Sequence, residues 1–300
     1  MPPLASVPAC SWAESRRSAS RLRAGALAAL LLTAALLGGA AVARSLLRVD
    51  RHGARVEHFV IHSRFVHAGL RETLVEPRGT AGAPRPLLLF LHGRGMNEDS
   101  SLNNQMFAAL SKLGARAPDI VFPDGGDHSY WHDRRGAAWG RYVIDEVIPQ
   151  AIRRTGADPR RVAIGGISMG GFGAFDLARQ YPRRFCAVGG HSPAIWTSAG
   201  QTAPGAFDGS ADFARHDIVR TARSRPGVWA GKPLWLDAGT ADPFDPGDRA
   251  FIAALRSGGL KIDVHRWPGG HTGSYWRSHW ASYLGFYARA LAHCGTNGQQ

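Results

Sequence analysis

The stretch GGISMGGFGA, residues 165–174, constrains the fold of this chain more than any other, because it sets one serine among five glycines. The preceding residues, RVAIGG (161–166), form a short apolar run that predicts a buried strand, and the residues after the serine predict a helix. Ser168 therefore lies on a tight strand-to-helix turn, where Gly166 and Gly170 avoid collisions between the two elements. The order G-x-S-x-G is the pattern of a nucleophile elbow, which lifts a serine hydroxyl above the edge of a sheet.

Two other interpretations of this turn are open at this point. A glycine-rich turn between a strand and a helix also cradles phosphate in dinucleotide-binding folds, but GGISMGG lacks the G-x-G-x-x-G order expected there. A purely structural turn could also contain a serine. Because a serine hydroxyl is a weak nucleophile until a base removes its proton, the choice depends on whether a histidine and an acid follow in usable positions.

Strands and helices alternate along the chain, which predicts parallel βαβ units with right-handed crossovers in a single α/β domain. Two strands within 56–66 and 71–77 predict an antiparallel start, and the apolar runs PLLLFLHG (86–93) and DIVFPDGG (119–126) predict buried central strands. We therefore expect a mostly parallel central sheet with helices on both faces.

Two further segments bear on this organisation. Residues 192–228 are rich in Ser, Ala, Gly and Pro, which predicts a small cap or an irregular loop over the strand ends. Residues 274–291, SYWRSHWASYLGFYARAL, predict one final helix.

The active site of an open α/β sheet lies at the carboxyl ends of its strands, so the residues just past each strand are the informative ones. Asp242 follows the strand PLWLDAG (233–239), and His271 follows the strand KIDVHRW (261–267). With Ser168 they occur in the order Ser, Asp, His that α/β-hydrolases use. We predict Ser168 as nucleophile, His271 as base and Asp242 as the acid that orients the base.

Each of the last two residues has a rival. Asp237 lies inside its strand, where a carboxylate points into the sheet, and we therefore prefer Asp242, although an aspartate before a proline is also a common turn former. His265 is in mid-strand and His279 lies on the final helix, so both are interpreted as packing or surface residues. His271 follows Pro-Gly-Gly, which shapes a tight loop.

The segment LHGRGMNED (91–99) follows a central strand with His-Gly, where α/β-hydrolases form part of the oxyanion hole. We assign the two donors to the backbone N–H groups of Met169 and Arg94, with a plain glycine-rich loop as the alternative for the second. Three side chains are assigned to substrate binding, with aromatic core packing as an equal alternative for the tryptophans: His92, Trp131 and Trp139.

The segment GGDHSYWHDRRGAAW (125–139) contains several histidines and aspartates, but their spacing is loose for a metal site. A serine nucleophile needs no cofactor, so we expect neither a metal nor an organic cofactor. Two cysteines lie beyond residue 43, Cys186 and Cys294; an exported pair could form a disulfide, and a buried free thiol is the alternative for Cys186.

The N-terminus predicts export. Four arginines up to Arg23 precede an uncharged apolar run (24–43) that ends in Ala-Val-Ala, so residues 1–43 are predicted to be a signal peptide or an uncleaved membrane anchor. The pair Arg16-Arg17 fits twin-arginine export poorly. A linker (44–54) and one catalytic domain (55–295) follow, secreted, periplasmic or anchored to the membrane.

The net charge of +13 comes almost entirely from arginine, since lysine occurs at only three positions. No basic stripe is interleaved with aromatic residues, so we expect no nucleic-acid partner. Attraction to an anionic membrane or cell-envelope polymer is the use of this charge that we keep open.

Four segments carry a family resemblance: PLLLFLHGRG, GGISMGGFGA, LDAGTADPF and WPGGHTGSYW. They resemble the "putative esterase" branch of the α/β-hydrolases, which includes esterase D type enzymes, feruloyl and enterobactin esterases, and mycolyltransferases. The resemblance implies an α/β-hydrolase fold with Ser168, His271 and Asp242 as the triad. Mycolyltransferases use glutamate where this chain has Asp242, which weighs against a mycolyl donor.

The function implied is hydrolysis of a small-molecule, lipid or carbohydrate ester through an acyl-enzyme. Two alternatives stay open. One is transfer of the acyl group to a cell-envelope carbohydrate, and the other is a non-catalytic binding protein on the same fold, against which the presence of all three triad residues argues.

Overall fold

Buried apolar strands form the centre of the fold in the computed structural model, which describes residues 49–79 and 84–294. The predicted leader (1–43) and residues 44–48 of the predicted linker lie outside the described residues. From Asp50 onward the contacts define one compact unit. Within the described ranges, no helix is both long enough and apolar enough to cross a membrane.

The main sheet has eight strands in the order β1-β2-β4-β3-β7-β8-β9-β10. The strand β1 pairs antiparallel with β2, and β2 pairs antiparallel with β4, whereas all later neighbours are parallel. Two short strands, β5 and β6, form a separate hairpin. The strands in chain order are β1 (Arg55–Ser63), β2 (Ala68–Glu76), β3 (Leu87–Leu91), β4 (Asp119–Phe122), β5 (Asp133–Arg134), β6 (Ala137–Ala138), β7 (Val162–Ile167), β8 (Ala187–His191), β9 (Leu234–Gly239) and β10 (Asp263–Trp267).

Helices connect the parallel strands, and a π-helical turn (Val143–Val147) joins two of them into one continuous rod. Short 3₁₀ turns cover Gly114–Arg116, Ala199–Gln201 and Pro226–Trp229. The α-helices in chain order are α1 (Asn104–Lys112), α2 (Trp139–Tyr142), α3 (Ile148–Thr155), α4 (Met169–Gln180), α5 (Ser210–His216), α6 (Ile218–Ser224), α7 (Asp245–Ser257), α8 (Gly273–Ser278) and α9 (Trp280–Ala292).

Two apolar clusters cover the two faces of the sheet. One contains side chains of α3, α4 and α7, including Ala151, Phe175 and Phe251, and the other contains side chains of α1 and α9, including Phe107 and Leu284. The predicted mostly parallel sheet with helices on both faces and an antiparallel start is therefore confirmed.

The prediction of one final helix is wrong. The helix is interrupted at His279 (φ −108°, ψ 6°), which separates α8 from α9. The ring Nδ1 of His279 donates to the carbonyl oxygen of Tyr275 at 2.8 Å, a local bond that competes with continued helix geometry. The region 192–228 contains α5, α6 and two 3₁₀ turns, so it forms a helical cap rather than an irregular loop.

Two features attach α9 to the sheet. A Cβ at Gly165 on β7 or Gly189 on β8 would overlap the Tyr287 hydroxyl, so both glycines are required for this close approach. Cys186 and Cys294 form a disulfide with a Cα–Cα distance of 5.9 Å, which joins the chain after α9 to the start of β8. Of the two alternatives for these cysteines, the structure has the disulfide.

Candidate active site

Ser168 connects β7 to α4 with φ 54° and ψ −114°, a left-handed backbone that a non-glycine residue adopts only at a cost. The turn is held by its neighbours, since Ser168 N–H donates to His191 O and Ser168 O accepts from Ala194 N–H, both at 3.0 Å. A Cβ at Gly166 or Gly170 would overlap the backbone of Leu91, so the sharp turn requires both glycines. The sequence pattern G-x-S-x-G thus has the geometry that was expected of it.

The three residues predicted to act together do lie together. The Oγ of Ser168 is 2.8 Å from His271 Nε2, and His271 Nδ1 is 3.0 Å from Asp242 Oδ2. Ser168 follows β7, Asp242 follows β9 and His271 follows β10, so parallel strands bring all three to the carboxyl edge of the sheet. The arrangement is a continuous hydrogen-bond chain from a carboxylate through an imidazole to a hydroxyl.

The carboxylate at the end of this chain is buried, while His271 is partly exposed and Ser168 is nearly buried. Burial raises the pKa of Asp242, but hydrogen bonds from His271 and from the Phe244 N–H at 3.0 Å outweigh it and lower the pKa overall. An ionised Asp242 accepts the Nδ1–H of His271, which leaves the Nε2 lone pair to accept the serine proton.

The predicted oxyanion donors lie on two elements next to the serine. Met169 is the first residue of α4, so its N–H has no acceptor within the helix. The loop after β3 packs against the serine, because a Cβ at Gly93 would lie 3.4 Å from the Ser168 Cβ. Arg94 is the next residue of that loop and is exposed. These two elements therefore place backbone beside the nucleophile on the sides that the sequence indicated.

The structure brings His92 and Trp131 into a buried contact rather than onto an open pocket wall. His92 Nδ1 donates to Gly93 O at 2.8 Å, and His92 Nε2 accepts from Gly125 N–H at 2.9 Å. Trp131 has no exposed area and donates from Nε1 to His92 O at 3.2 Å. Burial lowers the pKa of His92, in keeping with a neutral ring that accepts at Nε2. Both side chains hold the loops after β3 and β4 in place, an arrangement that favours packing over the predicted contact with substrate.

Trp139, the third residue assigned to substrate binding, lies at the start of α2. A Cβ at Gly126 would lie 3.0 Å from its ring, and its ring centroid is 6.0 Å from that of Tyr142. The side chain is half-buried and packs against the core. For Trp131 and Trp139, the sequence left substrate binding and core packing as equal alternatives, and in the structure both side chains pack in or against the core.

Sequence reasoning missed the aromatic side chains that contact the ring of His271. The rings of Phe244 and Trp276 lie 4.9 Å and 5.0 Å from the ring of His271, between centroids. Trp196 from the cap packs on Phe244 at 5.5 Å. A signal was available for the first two, since Phe244 and Trp276 follow Asp242 and His271 closely in the chain.

The rival residues lie elsewhere, as expected. Asp237 is fully buried and accepts hydrogen bonds from four side chains: His191, Trp235, Tyr275 and Tyr283. His265 stacks on Trp235 at 3.9 Å, and His279 stacks on Trp267 at 4.1 Å. Asp237 and His279 therefore contribute to the packing of α8 and α9 on the sheet, and His265 packs between tryptophans of β9 and β10.

Solved structures share this fold. A ferulic acid esterase superposes with a TM-score of 0.71 at 21% identity, covering 79% of this chain and 99% of the other. An S-formylglutathione hydrolase from Agrobacterium tumefaciens superposes with a TM-score of 0.69 at 18% identity, covering 80% and 96%. The predicted α/β-hydrolase fold is confirmed.

Sequence comparison points the same way. Esterase Rv1288 of Mycobacterium tuberculosis (strain ATCC 25618 / H37Rv) is 29% identical over an alignment 245 positions long, which covers 68% of this chain and 52% of that protein, so this chain spans about half the length of that relative. The diacylglycerol acyltransferase/mycolyltransferase Ag85B of Mycobacterium avium is 26% identical over 287 residues, 84% of each chain. A family model described as "Putative esterase" matches residues 71–287, and the chain therefore belongs to that esterase family.

Proposed function

We propose that this protein is an exported serine esterase that hydrolyses carboxylic esters through an acyl-enzyme. The observation that carries the proposal is the hydrogen-bond chain from Asp242 through His271 to the hydroxyl of Ser168, with distances of 3.0 Å and 2.8 Å. A buried carboxylate, a partly exposed imidazole and a serine on a strained turn are the three parts that acyl transfer requires. Membership of the esterase family supports the same chemistry.

The mechanism follows from this geometry. Ser168 Oγ attacks the ester carbonyl carbon while His271 Nε2 takes the hydroxyl proton, and Asp242 stabilises the imidazolium that forms. The N–H groups of Met169 and Arg94 are the proposed donors to the oxyanion of the tetrahedral intermediate. A pair of such donors stabilises the oxyanion by several kcal/mol. His271 then gives the proton to the leaving alcohol. Water activated by His271 releases the carboxylic acid and restores the serine.

A second candidate function is transfer of the acyl group to an alcohol, such as a hydroxyl of a cell-envelope carbohydrate, instead of to water. It is favoured by the similarity, over 84% of both chains, to a protein named diacylglycerol acyltransferase/mycolyltransferase. The same acyl-enzyme serves both reactions, so the two functions differ only in which hydroxyl enters after the first alcohol leaves. We therefore propose acyl transfer as a competing fate of the same intermediate.

Export is proposed from the apolar N-terminal run and is supported by the disulfide between Cys186 and Cys294. Disulfides persist in oxidising compartments and are rare in the cytosol. Association with a membrane or an anionic envelope polymer is proposed from the net charge of +13.

The test is hydrolysis of p-nitrophenyl esters of increasing acyl length by the full chain, beside Ser168→Ala and Ser198→Ala. We expect kcat to fall by about 10³-fold or more in Ser168→Ala, because the nucleophile is lost. Ser198 is exposed on the cap, so Ser198→Ala is the matched control and should keep the rate of the unchanged protein.

A rate that survives in Ser168→Ala would refute the nucleophile assignment. Adding methyl glucoside to the assay separates the two candidate functions, since an acylated glucoside would show transfer, and free acid alone would show hydrolysis. No turnover in the folded, unchanged protein on any ester would favour a binding protein on this fold.

A further inference from the structure

A second buried polar cluster lies under the cap, away from the serine. It consists of His132, just before β5, and of Asp212 and His216 on α5; we call it the cap cluster. All three residues are buried, and their potential ligand atoms lie within 4.8 Å of one another. The esterase mechanism uses none of them, and three ionisable side chains in one buried place require a physical explanation.

The two imidazoles converge on one carboxylate. His132 Nε2 is 3.1 Å from Asp212 Oδ2, and His216 Nε2 is 3.7 Å from Asp212 Oδ1. The two rings are 4.3 Å apart between centroids. In a tetrahedral zinc site with bonds of about 2.0 Å, neighbouring ligand atoms are separated by about 3.3 Å, so shifts of less than about 1.5 Å would complete the geometry.

A neighbouring carboxylate fixes which nitrogen of His216 faces the cluster. His216 Nδ1 donates to Asp176 Oδ2 at 2.8 Å, and Asp176 is itself held by Arg179 and by Gln180. A neutral His216 therefore directs the lone pair of Nε2 towards Asp212 Oδ1. A histidine that donates one ring nitrogen to a carboxylate and offers the other to a metal is the usual arrangement in zinc proteins.

In a neutral His216, the Nε2 lone pair faces Asp212 Oδ1 at 3.7 Å, and a proton or a metal ion between the two acceptors would relieve their repulsion. Asp212 supplies a carboxylate, and its Oδ2 accepts from the Asp208 N–H at 2.8 Å. Asp212 also accepts from Arg215 at 2.9 Å, which leaves capacity for a further partner because each carboxylate oxygen has two acceptor sites.

A proton on His216 Nε2 or a metal ion would satisfy both acceptors, and the metal titration below distinguishes the two. His132 supplies the remaining nitrogen of the cluster. Its Nδ1 is buried with no hydrogen-bond partner among the residues that the structure describes. A buried polar atom without a partner marks a place where a bound water or ion is expected.

We propose that His132, Asp212 and His216 form a structural site for a divalent transition metal of the zinc class. Two imidazoles and one carboxylate are ligands that zinc accepts, with water or the second oxygen of Asp212 at the fourth position. The bound ion would join α5 of the cap to the chain before β5 and, through Asp176, to α4. This proposal is independent of esterase activity.

The test uses the full chain purified without a histidine tag, with its metal content measured by plasma mass spectrometry. The protein is then stripped with EDTA and titrated with ZnSO₄ while Tm is followed, and with CoCl₂ while visible absorption is followed. We expect one zinc per chain, a Tm increase of about 5–10 °C at zinc a hundredfold above Kd, and cobalt bands typical of low coordination number. A stripped, folded protein that binds neither ion would overturn the proposal.

Variants identify the ligands. Asp212→Asn and His216→Gln should lose the zinc-dependent rise in Tm and the cobalt bands. His128→Gln changes an exposed histidine on the same segment as His132 and should retain both signals. An equal response in His216→Gln and the unchanged protein would place the ion elsewhere and refute this site. If a variant fails to fold, the titration of the unchanged protein still decides the proposal.

Discussion

Asp237 and Asp242 are both buried aspartates at the end of β9, and the neighbours of each determine its role. Asp242 lies beyond the strand and contacts His271, whereas Asp237 lies within the strand and accepts from four side chains that belong to β8, β9, α8 and α9. One carboxylate should therefore serve the reaction and the other the packing of the fold.

Substituting each aspartate by asparagine separates the two roles. We expect Asp242→Asn to lower kcat by about 10³–10⁴-fold with a small change in Tm, because the amide no longer holds His271 in the productive tautomer. Asp237→Asn should lower Tm while the folded fraction keeps its kcat, because four buried donors lose a charged acceptor. Ester hydrolysis and thermal unfolding of both variants make the comparison, and the opposite pattern would exchange the two roles.

The serine, histidine and aspartate of the site could be predicted from sequence because each follows a recognisable strand, and strand ends meet at one edge of a parallel sheet. The burial of His92 and Trp131 could not be predicted, because only the tertiary contact between the loops after β3 and β4 buries them. The cap cluster was missed for a similar reason: His132 was visible in a segment rich in histidine and aspartate, but its neighbours Asp212 and His216 come from the cap.

At the scale of elements, β2 and α2 are joined by a buried polar contact. Tyr142 on α2 donates to the carboxylate of Glu72 on β2, and neither side chain has exposed area. Burial is the main cause that raises the pKa of Glu72 from 4.5 to about 8; the charges of Asp124 and Glu98 add to the rise, and hydrogen bonds from the Tyr142 hydroxyl and the Asp124 backbone oppose it. The folded protein therefore keeps this carboxyl protonated at a pH where the unfolded chain has lost the proton.

Stability should follow from this difference. Because the folded pKa is the higher one, the free energy of unfolding falls as pH rises from about 4.5 to about 8 and levels off above that, by an amount on the order of a few kcal/mol. Glu72→Gln has no proton to lose, so it should remove this slope and be more stable than the unchanged protein at pH 9. Urea unfolding at pH 5, 7 and 9 measures the free energy of unfolding of Glu72→Gln and of the unchanged protein, and Glu76→Gln on the same strand is the control. Parallel stability curves for Glu72→Gln and the unchanged protein would contradict the assignment.

The order of elements was readable from the alternation of apolar strands and amphipathic helices, and nearly every strand falls where it was predicted. The break between α8 and α9 was not readable, because the apolar pattern runs through His279 without interruption. A side-chain hydrogen bond to the backbone ends α8 there, and such a bond has no periodic signature.

At the scale of the whole molecule, two glycine-lined contacts and one covalent bond attach the last helix to the sheet. The spacing of the cysteines gave no pairing, since two thiols 108 residues apart can be joined only if the fold brings them together. The fold does so by packing α9 across β7 and β8. The Tyr287 hydroxyl lies against Gly165 and Gly189 and forms a hydrogen bond with His191. Sequence reasoning could thus predict the layers but not the crosslink between them.

The disulfide should contribute to stability and not to catalysis. The two cysteines are 108 residues apart in the sequence. Closing a loop of about 100 residues lowers the entropy of the unfolded chain and so raises the free energy of unfolding by up to about 4.7 kcal/mol, although 2–4 kcal/mol is typically measured. Cys10, the third cysteine of the sequence, is first replaced by alanine so that it cannot exchange with the disulfide. In this Cys10→Ala background, replacing Cys186 and Cys294 by alanine should lower Tm by about 5–15 °C. The kcat at 25 °C should hold, because Ser168, Asp242 and His271 lie at the carboxyl edge of the sheet, whereas Cys186 directly precedes β8 at the opposite edge. Replacing only Cys186 or only Cys294 should give the same Tm as replacing both. Dithiothreitol should lower the Tm of the Cys10→Ala protein to that value. If neither the substitutions nor dithiothreitol changed the Tm, the two cysteines would not be paired in solution.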